Sequence, residues 1–281
     1  MKHHHSSVVQ RQRDSRRRSQ RLVRRVLPFV ASLFLATPLA GPLLKSSAHA
    51  PAKVAAKRAV AATPLARFDA TLRDTYTRLG AAQQGLRFEV FQKAMTGYLN
   101  LRETGHLAAS QQHLTVVDFD LPSTEKRLWV LDLNSDKILF HTLVAHGHNS
   151  GENGADQFSN TDQSNMSSLG FYVTGREYEG KHGHSLRLQG VDEGFNTNAF
   201  ARSIVMHGAD YVSEGFIKQN GRLGRSLGCP ALPLDQYAQI IDQVKGGSCL
   251  FLNKSNAGYT SKYLNQNVAL AALSLKPATN S

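Results

Sequence analysis

The amino-acid sequence predicts a mainly β fold with flanking helices, and three observations lead to this class. Two early stretches between residues 65 and 101 repeat their apolar residues at helical spacing. After residue 114 the apolar residues form short runs separated by Gly, Asn, Asp and Ser, which is typical of strands and turns. A last amphipathic stretch, residues 235–245, ends at two glycines, as helices commonly do. These patterns indicate a β-rich α+β fold.

The N-terminal helical segment, residues 64–105, holds two predicted helices. The first has an apolar stripe formed by Leu65, Phe68, Leu72, Tyr76 and Leu79. The second has a stripe formed by Leu86, Val90, Phe91, Ala94, Met95, Tyr98 and Leu101, and it ends at Gly105. Both stripes are interpreted as parts of a hydrophobic core, because a helix of a globular protein buries its apolar face.

The catalytic domain predicted for residues 106–255 is built mainly from strands. We predict strands at residues 114–121, 128–133, 138–145, 169–174, 185–188, 203–207 and 249–253. The second and third flank the turn sequence Asn-Ser-Asp-Lys at 134–137 and are apolar on both faces. This pattern favours a hairpin in a central position of a sheet. The tail, residues 256–281, is rich in Asn, Ser and Ala and has an ambiguous pattern.

The charge distribution argues against a nucleic-acid partner. The 281-residue chain has a formal net charge of +12, but residues 1–50 hold ten Lys or Arg and only one acidic residue, Asp14. The remaining 231 residues carry 23 basic and 20 acidic side chains. A nearly neutral body does not offer the broad basic surface that binds nucleic acid.

The first fifty residues have the features of an export signal. A basic run from Arg11 to Arg25 precedes a mainly apolar stretch of nine residues, Phe29–Thr37, which is too short for a membrane span. Small residues at 48–50 offer a cleavage site, and residues 51–63 form an Ala/Lys-rich linker. We therefore predict a signal peptide at 1–50, an exported protein in the periplasm or cell envelope, and no stable membrane insertion after processing. An uncleaved N-terminal anchor is the alternative.

One stretch, residues 204–232, carries the residues of a nucleophilic site. An apolar strand leads to His207-Gly208, and a Gly-rich loop leads to Cys229. A thiol needs exposure, a base and positive surroundings to become a nucleophile, and the loop, the imidazole and Arg225 can supply these. We also expect a helix to begin just after Cys229 and to lower the pKa of its thiol. Gly228 permits close approach of a substrate carbonyl, so that nearby amides can stabilise an oxyanion.

The sequence around Cys229 resembles that of the YkuD-type L,D-transpeptidases. In that family a strand-borne His-Gly is followed by Ser-x-Gly-Cys, and here Gly-Arg-Ser-Leu-Gly-Cys-Pro-Ala-Leu stands at 224–232. This form is similar to the murein L,D-transpeptidase catalytic domain branch. Supporting stretches lie at 128–150, 168–175 and 185–190. The resemblance covers roughly residues 85–255 and implies an L,D-transpeptidase-like β-sandwich or barrel with N-terminal helices.

The resemblance also implies an activity on peptidoglycan stem peptides. Cys229 would attack the carbonyl at the L-centre of diaminopimelate, and His207 would accept the thiol proton. The terminal D-residue would leave, and an amine of a second stem, a free D-amino acid or water would resolve the thioester. Cross-linking, D-amino acid exchange or L,D-carboxypeptidase activity would result, without a metal or cofactor, and carbapenems would acylate the cysteine.

The chain departs from the better-known branch of the family at two positions. Leu227 stands where a second His is usual, and Ala231 stands where an Arg is usual. We therefore predict that Arg225 grips the substrate carboxylate, because a guanidinium binds a carboxylate with two hydrogen bonds. The other predicted substrate-binding residues are His148 and His184. Three further predicted residues support the oxyanion and the base, namely Ser226, Gly208 and Gly228.

Three alternative interpretations remain open from the sequence. Cys229 can form a disulfide with Cys249, although Cys249 lies in the apolar run Cys-Leu-Phe-Leu and is better explained as a core residue. A zinc-dependent wall peptidase can be built from the two His-Gly-His pairs, with ligands from His146, His148, His182, His184 and Asp210. The third alternative is a non-catalytic wall-binding module. A zinc peptidase would be inhibited by a chelator, whereas a cysteine transpeptidase would be inhibited by a thiol alkylator.

Overall fold

The computed structural model describes residues 62–255 and 258–274. The predicted signal peptide and all but the last two residues of the predicted linker lie outside these ranges. Within these ranges the α-helices are α1 (Pro64–Arg78), α2 (Phe88–Glu103), α3 (Glu214–Asn220), α4 (Tyr237–Val244) and α5 (Gln266–Ser274). The strands of the same ranges are β1 (His113–Asp118), β2 (Leu128–Asp132), β3 (Lys137–Thr142), β4 (Gly170–Gly180), β5 (Gly183–Gly190), β6 (Val205–Gly208), β7 (Ala231–Leu232) and β8 (Cys249–Asn253).

The strands form one sheet in the order β3-β2-β1-β8-β4-β5-β6-β7. Neighbouring strands are antiparallel except for two parallel pairs, β1 with β8 and β6 with β7. Just past the end of β3, the Ala145 N–H donates to the Ala231 carbonyl in β7 over 2.9 Å. The two edges of the sheet therefore meet, and the sheet is a nearly closed barrel. This architecture confirms the predicted β-rich fold with flanking helices.

The N-terminal helices cover one face of the sheet. Thr63 caps α1 by accepting the Ala66 N–H, and Pro64 occupies its first turn, so the sequence itself specifies this helix start. Phe68 and Phe91 are buried in the same hydrophobic cluster as Trp129 of β2 and Phe171 of β4. Helices and sheet thus share one hydrophobic core, while a second core fills the other face beneath α4.

The described part of the tail folds back onto α2. The Asn100 side-chain amide donates to the carbonyls of Tyr263 (2.6 Å) and Asn265 (3.0 Å). Tyr263 is itself buried, with an exposed fraction of 3%. A segment with an ambiguous sequence pattern therefore becomes ordered through contacts with residues about 160 positions earlier in the chain.

The structure corrects the sequence expectation in three places. β3 is an edge strand and not a central one, and its residues are mostly half-buried. The hairpin of β4 and β5 extends beyond its predicted ends through a polar stretch, 175–184, that has no apolar alternation. Helix α3 is an element that we did not expect. Among the described residues, no helix has the length and apolar character needed to cross a membrane.

Candidate active site

The parallel pair β6–β7 brings the turn of the predicted nucleophile to the strand of the predicted base. His207 of β6 pairs with Ala231 of β7. Cys229 lies two residues before Ala231, in the turn that leads into β7. The Cys229 Sγ accepts the Val205 N–H at 3.4 Å and lies 3.8 Å from the Ser203 carbonyl. The thiol is therefore anchored on the segment that carries the imidazole.

The imidazole of His207 is held in one orientation. Its Nδ1 lies 2.9 Å from the Gly208 carbonyl, which can only accept a hydrogen bond, so Nδ1 carries the proton and Nε2 is left as the basic nitrogen. Burial lowers the pKa of His207 below the ordinary value for histidine, the Gly208 hydrogen bond opposes this shift, and the charge of His182 adds to it. No hydrogen bond joins His207 to Cys229 within residues 62–255, as is common in enzymes without substrate.

The thiol is not activated in the way the sequence suggested. Burial raises the pKa of Cys229, and the Val205 N–H and the charge of Arg202 only partly offset this effect. The expected helix does not follow Cys229, since β7 comes first and α4 begins only at Tyr237. Burial therefore favours the neutral thiol of Cys229 and the neutral imidazole of His207.

Arg202 is a site residue that the sequence analysis missed. Its guanidinium donates to the carbonyls of Ser159 (2.8 Å) and Met166 (2.6 Å) and lies beside Gly228. It is the arginine whose charge lowers the pKa of Cys229. No local pattern marks it, because it comes near the cysteine only through the fold. Its position just before the His207 strand was the one available signal.

Ser226 and Gly228 shape the turn that presents the cysteine. The Ser226 Oγ accepts the Gly228 N–H (3.1 Å) and donates to the Cys229 carbonyl (2.6 Å). Gly228 has φ +121, and a Cβ there would lie 2.6 Å from the Met166 carbonyl, so only glycine fits. In the described part of the chain the Cys229 N–H makes no hydrogen bond, which leaves it available to an oxyanion. Gly208, the third predicted support, lies against the Tyr237 ring.

Two predicted substrate-binding residues lie on the loop that borders this turn. The His148 N–H donates to the Ser226 carbonyl (2.7 Å), and the His148 side chain is exposed. The Arg225 guanidinium donates to the carbonyls of His148 and Gly151 and forms a 2.9 Å ion pair with Glu152. The Glu152 carboxylate is largely exposed. A substrate carboxylate that binds Arg225 at Nη1 would therefore compete with Glu152.

The structure separates the four histidines of the His-Gly-His pairs. His146 is buried, accepts a hydrogen bond from Arg127 at Nδ1 and has a pKa lowered to about 4, mainly by burial. His182 stacks on His207, and the third predicted substrate-binding residue, His184, binds Glu177 at 2.7 Å. Ser185 is the ladder partner of His207, so its neighbour His184 points to the opposite face of the sheet.

Over the described ranges, the group suited to a metal ion comprises Glu177, His184 and Asp242. The Lys245 amine already binds both carboxylates at 2.9 Å. This arrangement does not unite the histidine pairs that the zinc alternative requires. Both cysteines are free, and Cys249 is buried in β8, where burial strongly raises its pKa.

A cavity of about 620 Å³ opens where β6 and β7 end. Its walls include Ala209, the residue after His207-Gly208, and Pro233, the residue after β7. Three carboxylates, of Asp210, Glu214 and Asp235, and the Lys126 amine also line it. Neither Cys229 nor His207 lines this cavity, so it lies next to the predicted reacting pair and does not contain it.

Solved structures with a similar fold include several L,D-transpeptidases. The enzyme from Mycobacterium smegmatis aligns at 15% identity and a TM-score of 0.32, over 51% of this chain and 59% of its own. The L,D-transpeptidase (Yku) from Stackebrandtia nassauensis aligns at 16% and 0.31, over 68% and 79%. The helical cell shape determining protein Pgp2 from Campylobacter jejuni aligns at 16% and 0.34, over 64% and 62%.

No curated protein matches this chain significantly. The family model for the L,D-transpeptidase catalytic domain matches residues 82–253. That match covers well over half of the chain, and it includes His207, Cys229 and the sheet that holds them. The protein therefore belongs to the L,D-transpeptidase catalytic domain family.

Proposed function

We propose that the protein is a peptidoglycan L,D-transpeptidase that works by cysteine acyl transfer on stem peptides. One observation carries the proposal. The Cys229 Sγ is hydrogen-bonded to the Val205 N–H, two residues before His207, whose Nε2 is left basic by the hydrogen bond at Nδ1. A thiol anchored on the strand that carries an oriented base supplies the two groups that acyl transfer needs.

The first half-reaction begins from the neutral pair. Burial disfavours both the thiolate and the imidazolium, so the proton passes from Sγ to Nε2 as the sulfur attacks the carbonyl. The carbonyl at the L-centre of diaminopimelate becomes a tetrahedral oxyanion, and the free Cys229 N–H is placed to donate to it. When the intermediate collapses, the C–N bond breaks and the leaving D-residue takes the proton from His207. A thioester on Cys229 remains.

The second half-reaction reverses these proton movements. An amine of another stem attacks the thioester, His207 removes its proton, and the C–S bond breaks as the thiol is restored. A free D-amino acid gives exchange by the same route, and water gives carboxypeptidase activity. Each step uses groups of this chain and of the substrate, and none needs a metal or cofactor. Arg225 and His148 border the cysteine turn and are proposed to bind the donor stem.

The test is single and double substitution of the reacting pair. Cys229→Ser and His207→Ala should each abolish acyl-enzyme formation, and the double variant should be hardly worse than either single one, because the two groups act as a unit. A carbapenem should add one drug mass to the wild type at Cys229. Cys249→Ala is the matched control, since this second thiol is buried in β8, and it should keep activity with a modest loss of stability.

The same experiment separates the alternatives. A folded Cys229→Ser protein that processes tetrapeptide stems at the wild-type rate would refute acyl transfer. Loss of activity with EDTA, restored by zinc and unaffected by iodoacetamide, would instead identify a metallopeptidase. Binding of isolated peptidoglycan without any change in its muropeptide masses would identify a non-catalytic module.

A further inference from the structure

We propose that His182 is a positioning residue for the base: its ring holds the His207 imidazole in place and, when it carries a proton, opposes a second proton on His207. This inference rests on the proposed function, in which His207 must reach Cys229 as a neutral base. His182 lies in the turn between β4 and β5, far from Cys229 in sequence, and no part of the transfer mechanism above uses it.

The geometric basis is a direct ring contact. The imidazoles of His182 and His207 stack with their centroids 4.4 Å apart and their planes inclined by 26°. Stacked flat rings limit each other's rotation out of plane. The Gly208 hydrogen bond fixes the His207 ring at Nδ1, and His182 covers one of its faces. Together these contacts leave Nε2 pointing in one direction.

The hairpin turn is attached to the active-site strand, so the contact is built into the fold. Ser185 of β5 pairs with His207 in the ladder. A Cβ at Gly183 would lie 3.7 Å from the Tyr237 hydroxyl, and the ring of Tyr237 packs on Gly208. Gly183 has φ +71, a conformation that glycine adopts without strain and that turns the chain toward β6.

A second set of contacts ties the middle of the hairpin to α4. The Lys245 amine binds Glu177 and Asp242 at 2.9 Å each, and Glu177 also binds His184 at 2.7 Å. These groups occupy the face opposite His207. The β4–β5 hairpin is therefore fixed by its strand pairing with β6 and by the ion pairs on its opposite face. Both sets of contacts determine where the turn with His182 lies.

His182 is also the charged group that acts on His207. Other titratable or charged residues on β4, β5, α4 and the segments next to β6 include Glu177, His184, Arg187, Cys229, Arg202, Asp210, Tyr211, Asp235, Tyr237 and Asp242. In the described ranges, the charge that shifts the pKa of His207 is that of His182, and it lowers this pKa, after the larger effect of burial. A positive charge on the exposed His182 ring therefore opposes a positive charge on the buried His207 ring.

On acidification, activity is therefore lost at a lower pH than it would be if the base were an isolated histidine. Activity requires neutral His207, so it is lost as the pH falls through the pKa of His207. Removal of the His182 charge raises this pKa, and the loss then begins at higher pH. One unit charge about 4 Å away, screened by water, changes the ratio of neutral to charged ring roughly fivefold.

The experiment compares His182→Phe with His182→Ala in the full-length protein. Phenylalanine keeps a stacked ring and removes the charge, so kcat should be unchanged above neutral pH, while the acid limb of kcat/KM should move to higher pH. Alanine also uncovers the ring, so kcat should fall at every pH. The imidazole signal of His207 in an NMR titration should shift in the same direction as the acid limb.

The matched control is Lys181→Ala, which removes a positive charge from the adjacent exposed position of the same turn. It should leave both the pH profile and the titration of His207 at wild-type values. The proposal is overturned if His207 titrates identically in the wild type and in a folded His182→Phe protein, or if Lys181→Ala has the same effect. The NMR titration of His207 does not depend on turnover, so it tests the role of His182 even if the protein is not a transpeptidase. The proposed transpeptidase activity is tested separately with the Cys229→Ser protein.

Discussion

At the residue scale, the electrostatics of the thiol depend on an arginine that is 27 residues from Cys229 in sequence. Arg202 acts on Cys229, while Arg225, only four residues away, is paired with Glu152. The two arginines therefore have separable roles. Arg202 offsets the cost of forming the thiolate, and Arg225 remains the predicted ligand of the substrate carboxylate.

Substitution of each arginine should affect a different step. Arg202→Gln removes the positive charge beside the sulfur, so the pKa of Cys229 should rise further and iodoacetamide should react several-fold more slowly at neutral pH. Arg225→Lys should leave that alkylation rate unchanged. It should raise KM for tetrapeptide stems, because lysine cannot bind a carboxylate through two parallel hydrogen bonds as arginine does. The pH dependence of alkylation and steady-state kinetics measure the two effects. Unchanged KM in a folded Arg225→Lys protein would remove Arg225 from the site.

At the element scale, the contact of α2 with the sheet depends on a glycine in the helix. A Cβ on Gly97 would lie 1.9 Å from the ring of Phe171 in β4. That ring stacks on Phe251 of β8, with centroids 4.4 Å apart, so it has no room to move away. The close approach of helix and sheet explains why residue 97 has no side chain, although glycine weakens a helix interior.

Gly97→Ala should therefore destabilise the protein. The better helix propensity of alanine should stabilise the protein by up to about 1 kcal/mol, whereas overpacking against Phe171 should cost about 1–3 kcal/mol or more. The free energy of unfolding should therefore fall. Chemical denaturation monitored by circular dichroism measures the free energy of unfolding. Gly215→Ala in α3 is the control, because its Cβ would meet only the Ser213 Oγ at 3.9 Å. Equal stability of the two variants would show that α2 is less tightly packed than the structure indicates.

At the scale of the whole molecule, helices and tail are joined to the barrel through one core. Phe68 of α1, Tyr263 of the tail and Phe251 of β8 belong to the same buried cluster. The family match begins at residue 82, so α1 lies before it, yet α1 contributes fully buried side chains. The described ranges thus depend on each other for the burial of their apolar surface.

Export is the prediction that concerns the entire chain. The basic run and the short apolar stretch before residue 50 should direct secretion, with removal of about the first fifty residues. N-terminal sequencing of protein recovered from the cell envelope checks this, and the expected new terminus lies near Ala50. A recovered chain that still begins at Met1 would indicate an uncleaved anchor instead.

Local patterns were sufficient to predict several parts of the fold and site. The helical stripes of α1, α2 and α4 and the apolar run of β8 are visible in sequence, because a helix or a strand repeats its buried positions at a fixed period. The proposed reacting pair is visible in the same way, since His207-Gly208 and Ser-Leu-Gly-Cys at 226–229 are short motifs of contiguous residues. In both cases the information lies within a few neighbouring residues.

The tertiary structure alone decided which distant groups surround that pair. β3 is at an edge although it is apolar on both faces, because the neighbours of a strand are chosen by the whole sheet. Arg202 near Cys229, and the stack of His182 on His207, depend on loops and a polar hairpin that have no period to detect. The raised pKa of Cys229 has the same origin, since burial is a property of the folded chain and not of the motif. The sequence by itself predicted the proposed reacting groups and most of the helices and strands, and long-range packing determined which residues surround those groups and how their pKa values are shifted.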